Sequence, residues 1–246
     1  MRIIICLIAL CSVFLFSFGK KKKTPRIKFK CDSFKSLKNI PEPSDIVYDK
    51  ESDHFFIVSD DGLLFECDLT GKIIRKAREE GMDFEGVEVK DGFVYVSDER
   101  PRKVYKYRKS DLSLVKIYSV SWGGAMNKAF ESITYNSTKN CFVMVSQQPV
   151  IVFEYDTAFH ELERHPLHIA KDINGARWYN GDIYLLSSAD DCIFKCDANT
   201  YEPKCSYNID MINPEGLAFD ANGNVRVTAD ATQRLYFFKN LPTIIQ

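Results

Sequence analysis

The feature that most constrains this chain is an internal repeat that occurs five times. Each repeat shares one pattern: a small or acidic residue, an apolar strand, a turn, and a second strand. The equivalent first residues are separated by 41, 46, 43 and 41 positions, which is the length of one four-stranded blade of a β-propeller. These aligned residues are Ser44, Glu85, Glu131, Asn174 and Glu215.

Two further strands follow the first pair in each repeat. The third is short and aromatic, as in the sequence VYKY that ends at Tyr107, and the fourth follows a polar turn such as 68–71. All of these runs alternate between apolar and polar residues and are bounded by Gly, Asn, Asp or Pro, as antiparallel strands are. The sequence therefore predicts an all-β protein that folds as a five-bladed β-propeller.

The two ends of the repeat region predict how the ring closes. The last repeat has only three strands, whereas the segment 26–34 precedes the first repeat and alternates like a strand. We expect this N-terminal strand to join the last blade beside 235–238, because ring closure removes exposed sheet edges. Residues 24–246 are thus predicted to form a single propeller domain, and we expect a monomer.

The first 23 residues differ from the rest of the chain. Arg2 precedes an apolar run over 3–18, and a cluster of four lysines follows at 20–23. This pattern predicts a signal peptide or a membrane anchor, and hence a periplasmic or extracellular protein associated with the cell envelope. The lysines also leave cytoplasmic retention open, and Cys11 leaves lipidation open.

Composition excludes one class of partner and leaves the cysteines undecided. The chain has 33 basic and 34 acidic residues, so it has no excess positive charge for binding nucleic acid. Of the six cysteines after residue 23, Cys196 and Cys205 flank a predicted hairpin turn and are the candidate disulfide. The alternative is that all six are buried thiols that act as small apolar side chains.

Several segments resemble a known family of bacterial envelope proteins. They are MDFEGVEVKDGFVYVSDER from Met82, DINGARWYNGDIYLLSSADD from Asp172 and NPEGLAFDANGNVRV from Asn213. The chain is similar over 43–238 to the SdiA-regulated family, of the YjiK type. The resemblance implies a five-bladed propeller behind an N-terminal membrane signal, and it implies no particular activity. Ser132 stands where the family usually has glycine, which puts in doubt any role carried over to that blade.

Three repeat positions are candidates for a metal site. Glu85, Glu131 and Glu215 begin the first strands of their blades, and the first strands of a propeller line its central channel. Converging carboxylates suit a hard cation such as Ca²⁺. The alternative is structural: each glutamate would accept hydrogen bonds from the neighbouring blade and hold the ring together.

A second set of charged residues follows the second strands. An arginine beside acids near a channel mouth is able to grip an anion through two parallel hydrogen bonds. A solvated turn or an ion pair between blades is the alternative reading. The residues of this set are Asp98, Glu99, Arg100, Asp190 and Asp230.

These features leave two functional hypotheses. The first is a non-enzymatic propeller that binds a small ligand, a glycan or a protein at its loops, and it is favoured because the sequence has no nucleophile or phosphate-loop motif. The second is a Ca²⁺-dependent hydrolase of lactones or phosphoesters, in which the ion held by the channel carboxylates polarises the substrate or activates water.

Overall fold

The protein consists of β-strands arranged in five sheets. The computed structural model describes residues 24–124 and 128–242, and the signal or anchor predicted for 1–23 lies outside them. Within this part of the chain no helix is long and apolar enough to cross a membrane. The strands are β1 (Arg26–Lys28), β2 (Ser33–Ser36), β3 (Pro43–Asp49), β4 (His54–Ser59), β5 (Leu63–Cys67), β6 (Ile73–Lys76), β7 (Phe84–Lys90), β8 (Phe93–Asp98), β9 (Lys103–Arg108), β10 (Leu114–Ser119), β11 (Phe130–Asn136), β12 (Cys141–Ser146), β13 (Ile151–Tyr155), β14 (Glu161–Pro166), β15 (Gly175–Tyr179), β16 (Asp182–Ser187), β17 (Cys192–Asp197), β18 (Pro203–Asn208), β19 (Pro214–Phe219), β20 (Asn224–Ala229) and β21 (Arg234–Asn240).

Each sheet is one blade, and the predicted five-bladed propeller is confirmed. Blades one to four begin with β3, β7, β11 and β15, each followed by its next three strands in antiparallel order. Blade five contains β19, β20 and β21, with β2 as its outer strand. The first strands of successive blades contact one another, and the first strand of blade five lies beside that of blade one.

The N-terminal segment that was expected to form one strand is divided between two blades. Its first part, β1, pairs in parallel with β18 and adds a fifth strand to blade four. Its second part, β2, pairs antiparallel with β21, with Ser33 opposite Phe237. Between them Phe29 is buried and stacks on Phe238, with ring centroids 4.8 Å apart. The burial of this ring between blades four and five explains why the strand is interrupted.

The hydrophobic core lies between the blades. The buried apolar side chains form five clusters, and each cluster joins the facing sides of two neighbouring sheets. Phe142 on blade three, for example, is completely buried against Tyr95 of blade two. Burying one such side chain contributes about 1.5–3 kcal/mol, so the interfaces between blades fix the ring and the positions of its channel-lining strands.

The cysteines predicted to form a disulfide are separate, buried thiols. In the hairpin β17–β18, Cys205 lies opposite Lys195, and Cys196 lies opposite Pro203. As a result the two thiols lie on opposite faces of blade four. Cys196 packs toward blade three and Cys205 packs toward blade five. A disulfide needs Cβ vectors that point at each other, so the prediction of this bond is wrong.

Candidate functional site

A β-bulge at the start of four first strands directs side chains into one mouth of the channel. The pairing between first and second strands shifts register between Phe84 and Gly86, and again between Phe130 and Ser132. The same shift occurs at the starts of β3 and β19. Because a bulge re-aims the residue that it contains, Glu85 and Glu131 leave the regular alternation and point toward the channel axis.

Glu85 and Glu215 are each followed by a glycine, because the first strand of the next blade approaches closely at that position. A Cβ atom added to Gly86 would lie 2.5 Å from the backbone nitrogen of Ile133 in blade three. One added to Gly216 would lie 2.5 Å from Cα of Asp45 in blade one. The Glu–Gly pairs of the repeat thus combine a side chain for the channel mouth with room for the neighbouring strand.

The side chains converge on a cavity of about 220 Å³, which we call the acidic mouth. Seven carboxyl groups and a single guanidinium line it, and they come from blades one, two, three and five. Two amide side chains complete the wall. The lining residues are Asp60, Asp83, Glu85, Glu99, Arg100, Glu131, Gln147, Asn174, Glu215 and Asp230.

Specific contacts hold part of this wall in place. Arg100 Nε lies 2.9 Å from Oδ2 of Asp83, and the backbone N–H of Ala129 donates to Oε1 of Glu99 at 2.6 Å. One oxygen each of Asp83, Glu85 and Glu99 lie within 4.8 Å of one another. This spacing fits oxygens that share one Ca²⁺ ion at the usual 2.3–2.6 Å.

Five carboxyl groups of the acidic mouth have raised pKa values and are protonated more readily than ordinary ones. Burial raises the pKa of Asp60 to about 6, and the nearby Asp83 adds to the effect. Burial also raises the pKa of Asp83 to about 6, although Arg100 opposes this shift. For Glu85 and Glu131 burial, together with neighbouring carboxylates, holds the pKa well above its usual value.

Glu215 has the same electrostatic character. Burial raises its pKa well above the usual value, the charge of Asp230 raises it further, and a hydrogen bond with Asn174 opposes the shift. Positive charge in the mouth is far too small to balance seven carboxylates, so a bound cation would stabilise their ionised forms.

Other residues, which were not predicted from the sequence, join the blades of the ring to one another. Arg177 of blade four is buried in the channel and donates to the carbonyl oxygens of Ile46, Val87, Ile133 and Leu217, at 2.9 to 3.5 Å. These four carbonyls occupy the same position in the other four repeats. One guanidinium therefore contacts every blade.

Two carboxylates balance the charge of this buried arginine. Asp45 lies 2.9 Å and Glu88 lies 3.2 Å from guanidinium nitrogens of Arg177. Asp45 also accepts the backbone N–H of Val87 at 2.9 Å, and Glu88 accepts that of Tyr135 at 2.9 Å. By contrast, none of the described backbone N–H groups donates to the three glutamates predicted as braces or metal ligands.

The other predicted site residues are only partly brought together. Glu99, Arg100 and Asp230 line the acidic mouth with the three glutamates. Asp98 is buried behind the wall, where it accepts the N–H of Met82 at 3.1 Å, and burial raises its pKa. Asp190, in the turn between β16 and β17, accepts the N–H of Lys171 from the loop before β15 at 2.8 Å, and it does not line the cavity.

Comparisons with known proteins agree with this architecture. The fold and site define a five-bladed β-propeller with an acidic channel mouth. The model of the SdiA-regulated family matches residues 22–239, and the chain belongs to that family. A search of curated protein sequences finds no match.

Solved structures with a similar fold include two enzymes. Glutaminyl cyclase from Myxococcus xanthus is 13% identical, with a TM-score of 0.74 and coverage of 88% of this chain and 98% of the other. A streptogramin B lyase is 12% identical, with a TM-score of 0.57 and coverage of 85% and 98%. At these identities the likeness concerns the fold alone.

Proposed function

We propose that this protein is a ligand-binding propeller whose acidic mouth binds a divalent cation, with Ca²⁺ as the ion of choice. The observation that carries the proposal is the convergence of seven carboxyl groups on one cavity that contains a single guanidinium. Ca²⁺ takes six to eight oxygen ligands in flexible geometry, and carboxylates and amide oxygens are its usual partners in proteins.

The hydrogen bonding supports a ligand site over a purely structural role. The bonds that join the first strands go to Asp45, Glu88 and Arg177, deep in the channel. Glu85, Glu131 and Glu215 are left facing the cavity with raised pKa values. Asn174 hydrogen-bonds Glu215, and Glu99 hydrogen-bonds Glu131, but none of the described backbone N–H groups donates to the three glutamates. Buried carboxylates with so few partners are costly, and a divalent cation would offset that cost.

A position outside the cytoplasm would suit such a site. We propose that residues 1–23 export or anchor the protein at the cell envelope. Extracellular Ca²⁺ modules have dissociation constants of about 10⁻⁴–10⁻³ M. A preformed but protonated site agrees with that range, because Ca²⁺ has to displace the protons.

The test is calcium titration of the purified, EDTA-treated full chain by calorimetry and by thermal unfolding near pH 7.5. A hundredfold excess of Ca²⁺ over Kd contributes about 2.7 kcal/mol, which raises Tm by about 5–10 °C for a chain of this size. We expect Glu85→Gln to lose most of the effect and the exposed Glu202→Gln to keep it. A wild-type chain that shows neither heat nor a shift of Tm would refute the proposal.

A pH series adds a second, independent readout. Affinity should fall as the pH decreases toward 5, because the carboxyl groups with raised pKa then hold protons that compete with the ion. If Ca²⁺ bound but also accelerated the cleavage of lactones or phosphoesters, the hydrolase hypothesis would replace the binding hypothesis. Rates that stay flat with and without Ca²⁺ are the expected result.

A further inference from the structure

The channel has a second mouth with a different character, which we call the aromatic mouth. The first strands begin at the acidic mouth and end here, four residues further along. At about 3.3 Å per residue, the two mouths are roughly 13 Å apart, with the Arg177 network between them. The cavity measures about 410 Å³, and its aromatic residues are Tyr48, Tyr135, Trp178, Tyr179 and Phe219.

Hydrogen bonds and stacking hold rings of the aromatic mouth in place. The hydroxyl of Tyr48 donates to Oδ1 of Asp53 at 2.7 Å, and Nε1 of Trp178 donates to Oγ1 of Thr138 at 3.1 Å. The ring of Tyr179 is stacked on that of Phe219 in blade five, with the ring centroids 4.2 Å apart. The rings are thus fixed in advance, which lowers the conformational entropy lost when a ligand binds.

The charges of this mouth are balanced differently from those of the acidic mouth. Glu88 is paired with Arg177 at 3.2 Å, and Asp220 is paired with Arg226 at 2.6 Å. Two lysines that line the same cavity, Lys50 and Lys90, take no part in these two ion pairs.

The two lysines are available to a ligand. Lys50 is exposed and has no carboxylate partner among the described residues. Lys90 pairs with Asp91 at 2.6 Å, an exposed residue that immediately follows it in the chain. Its Nζ atom also lies 4.6 Å from the ring centroid of Tyr135. An exposed pair of this kind is weak, so Lys90 is able to exchange it for an anionic ligand.

We propose that the aromatic mouth binds a small carboxylate that carries a ring, such as a sugar acid or an aromatic acid. Its volume lies within the 300–1,000 Å³ usual for small-molecule sites. The apolar faces of the ring would pack on the aromatic side chains. The carboxylate would accept charge-assisted hydrogen bonds from Lys50 and Lys90. The acidic mouth would repel the same ligand, so the two sites take ligands of opposite charge.

Tryptophan fluorescence provides the assay, because the chain has two tryptophans. The variant Trp122→Phe leaves Trp178 of the aromatic mouth as the only reporter. The full-length variant is titrated with glucuronate and with phenylacetate, and with glucose and phenylacetamide as their neutral counterparts. One acid should give a saturable change and bind at least tenfold more tightly than its neutral counterpart, and which acid does so identifies the class of ring.

Lysine variants test the recognition of the carboxylate. Lys50→Gln combined with Lys90→Gln should weaken binding of the acid at least tenfold and leave binding of the neutral counterpart unchanged. Lys116→Gln is the matched control, because Lys116 also lies over a tyrosine ring, at 4.5 Å, but outside the cavity. Calorimetry on the wild-type chain repeats the measurement without the tryptophan substitution.

Three results would overturn the proposal. They are the absence of saturable binding of either acid up to about 10 mM, equal binding of acid and neutral counterpart, and no effect of the double lysine variant. Glu85→Gln should leave this binding unchanged. The aromatic mouth and the calcium proposal for the acidic mouth therefore succeed or fail separately.

Discussion

Replacing one carboxylate of the acidic mouth should stabilise the protein at neutral pH. Asp60 is partly exposed and accepts a hydrogen bond from the hydroxyl of Ser44. The substitution Asp60→Asn keeps an acceptor oxygen at that position but removes the charge. Burial and the surrounding carboxylates make that charge unfavourable in the folded protein, so its removal should raise the free energy of unfolding.

The size of the gain follows from the pKa shift. The pKa of Asp60 rises from 3.8 to about 6 on folding, and this corresponds to about 3 kcal/mol at pH 7.5. Solvent screening at a partly exposed group reduces the effect to about 1–2 kcal/mol. A chain of this size gains about 2–4 °C in Tm per kcal/mol, so we expect Asp60→Asn to melt roughly 2–8 °C higher.

The pH dependence has a definite sign. Because the pKa is raised in the folded state, protonation of Asp60 supports folding below the unfolded pKa of 3.8, and this support is lost as the pH rises through about 6. The advantage of the variant over the wild type should thus be largest near pH 7.5 and fall to about a third of that near pH 4.5.

Urea unfolding of both chains in EDTA, at about pH 7.5 and pH 4.5, measures this difference. The exposed Asp32→Asn variant is the control and should differ little from the wild type at either pH. If Asp60→Asn were no more stable than the wild type at pH 7.5, or if its stability increased equally at both pH values, the charge of Asp60 would not be unfavourable in the folded protein.

Three further predictions concern the ring itself. Arg177→Lys should lower the free energy of unfolding by about 3–5 kcal/mol in urea, because lysine cannot reach four blades and leaves buried carboxylates poorly paired. Gly216→Ala should cost about 1–3 kcal/mol, because its Cβ would lie 2.5 Å from the neighbouring blade, whereas Gly123→Ala has open space and should cost less. Reducing agents should leave Tm unchanged, because Cys196 and Cys205 pack on opposite faces.

The repeat was enough to predict the blades because each strand carries its own signal. Alternation and turn residues are local properties, and five copies of the same pattern reinforce one another. The interruption at Phe29 was not predictable in the same way. The segment around it alternates like one strand, and only packing against Phe238 of blade five shows that the chain changes sheets there.

The sequence separates the roles of the channel carboxylates less well. Glu85 and Glu88 lie three residues apart in the same strand, yet the first faces a cavity and the second is paired with Arg177. Glu88 and Arg177 are 89 residues apart in the chain, and Asp45, the other carboxylate paired with Arg177, is 132 residues from it. Pairing over such separations depends on the closed ring, and no local pattern encodes it.

The alignment of the repeats nevertheless contains a signal for the charged residues that join the blades in the channel. Asp45 occupies the position that is glycine in blades two, four and five. Glu88 in blade two and Arg177 in blade four occupy a position that is apolar in blades one and five. A charged residue at a position that repeats otherwise fill with small or apolar side chains needs a buried partner. Three such exceptions, two acidic and one basic, therefore indicate ion pairs across the channel.

The separation of braces from mouth carboxylates bears directly on function. If Glu85, Glu131 and Glu215 stabilised the ring, we would expect backbone N–H groups to donate to them, as they donate to Asp45 and Glu88. Burial and neighbouring carboxylates instead raise their pKa values, which makes their ionised forms unfavourable in the folded state. Because other residues brace the ring, the cation proposed for the acidic mouth is the ligand that would offset this cost.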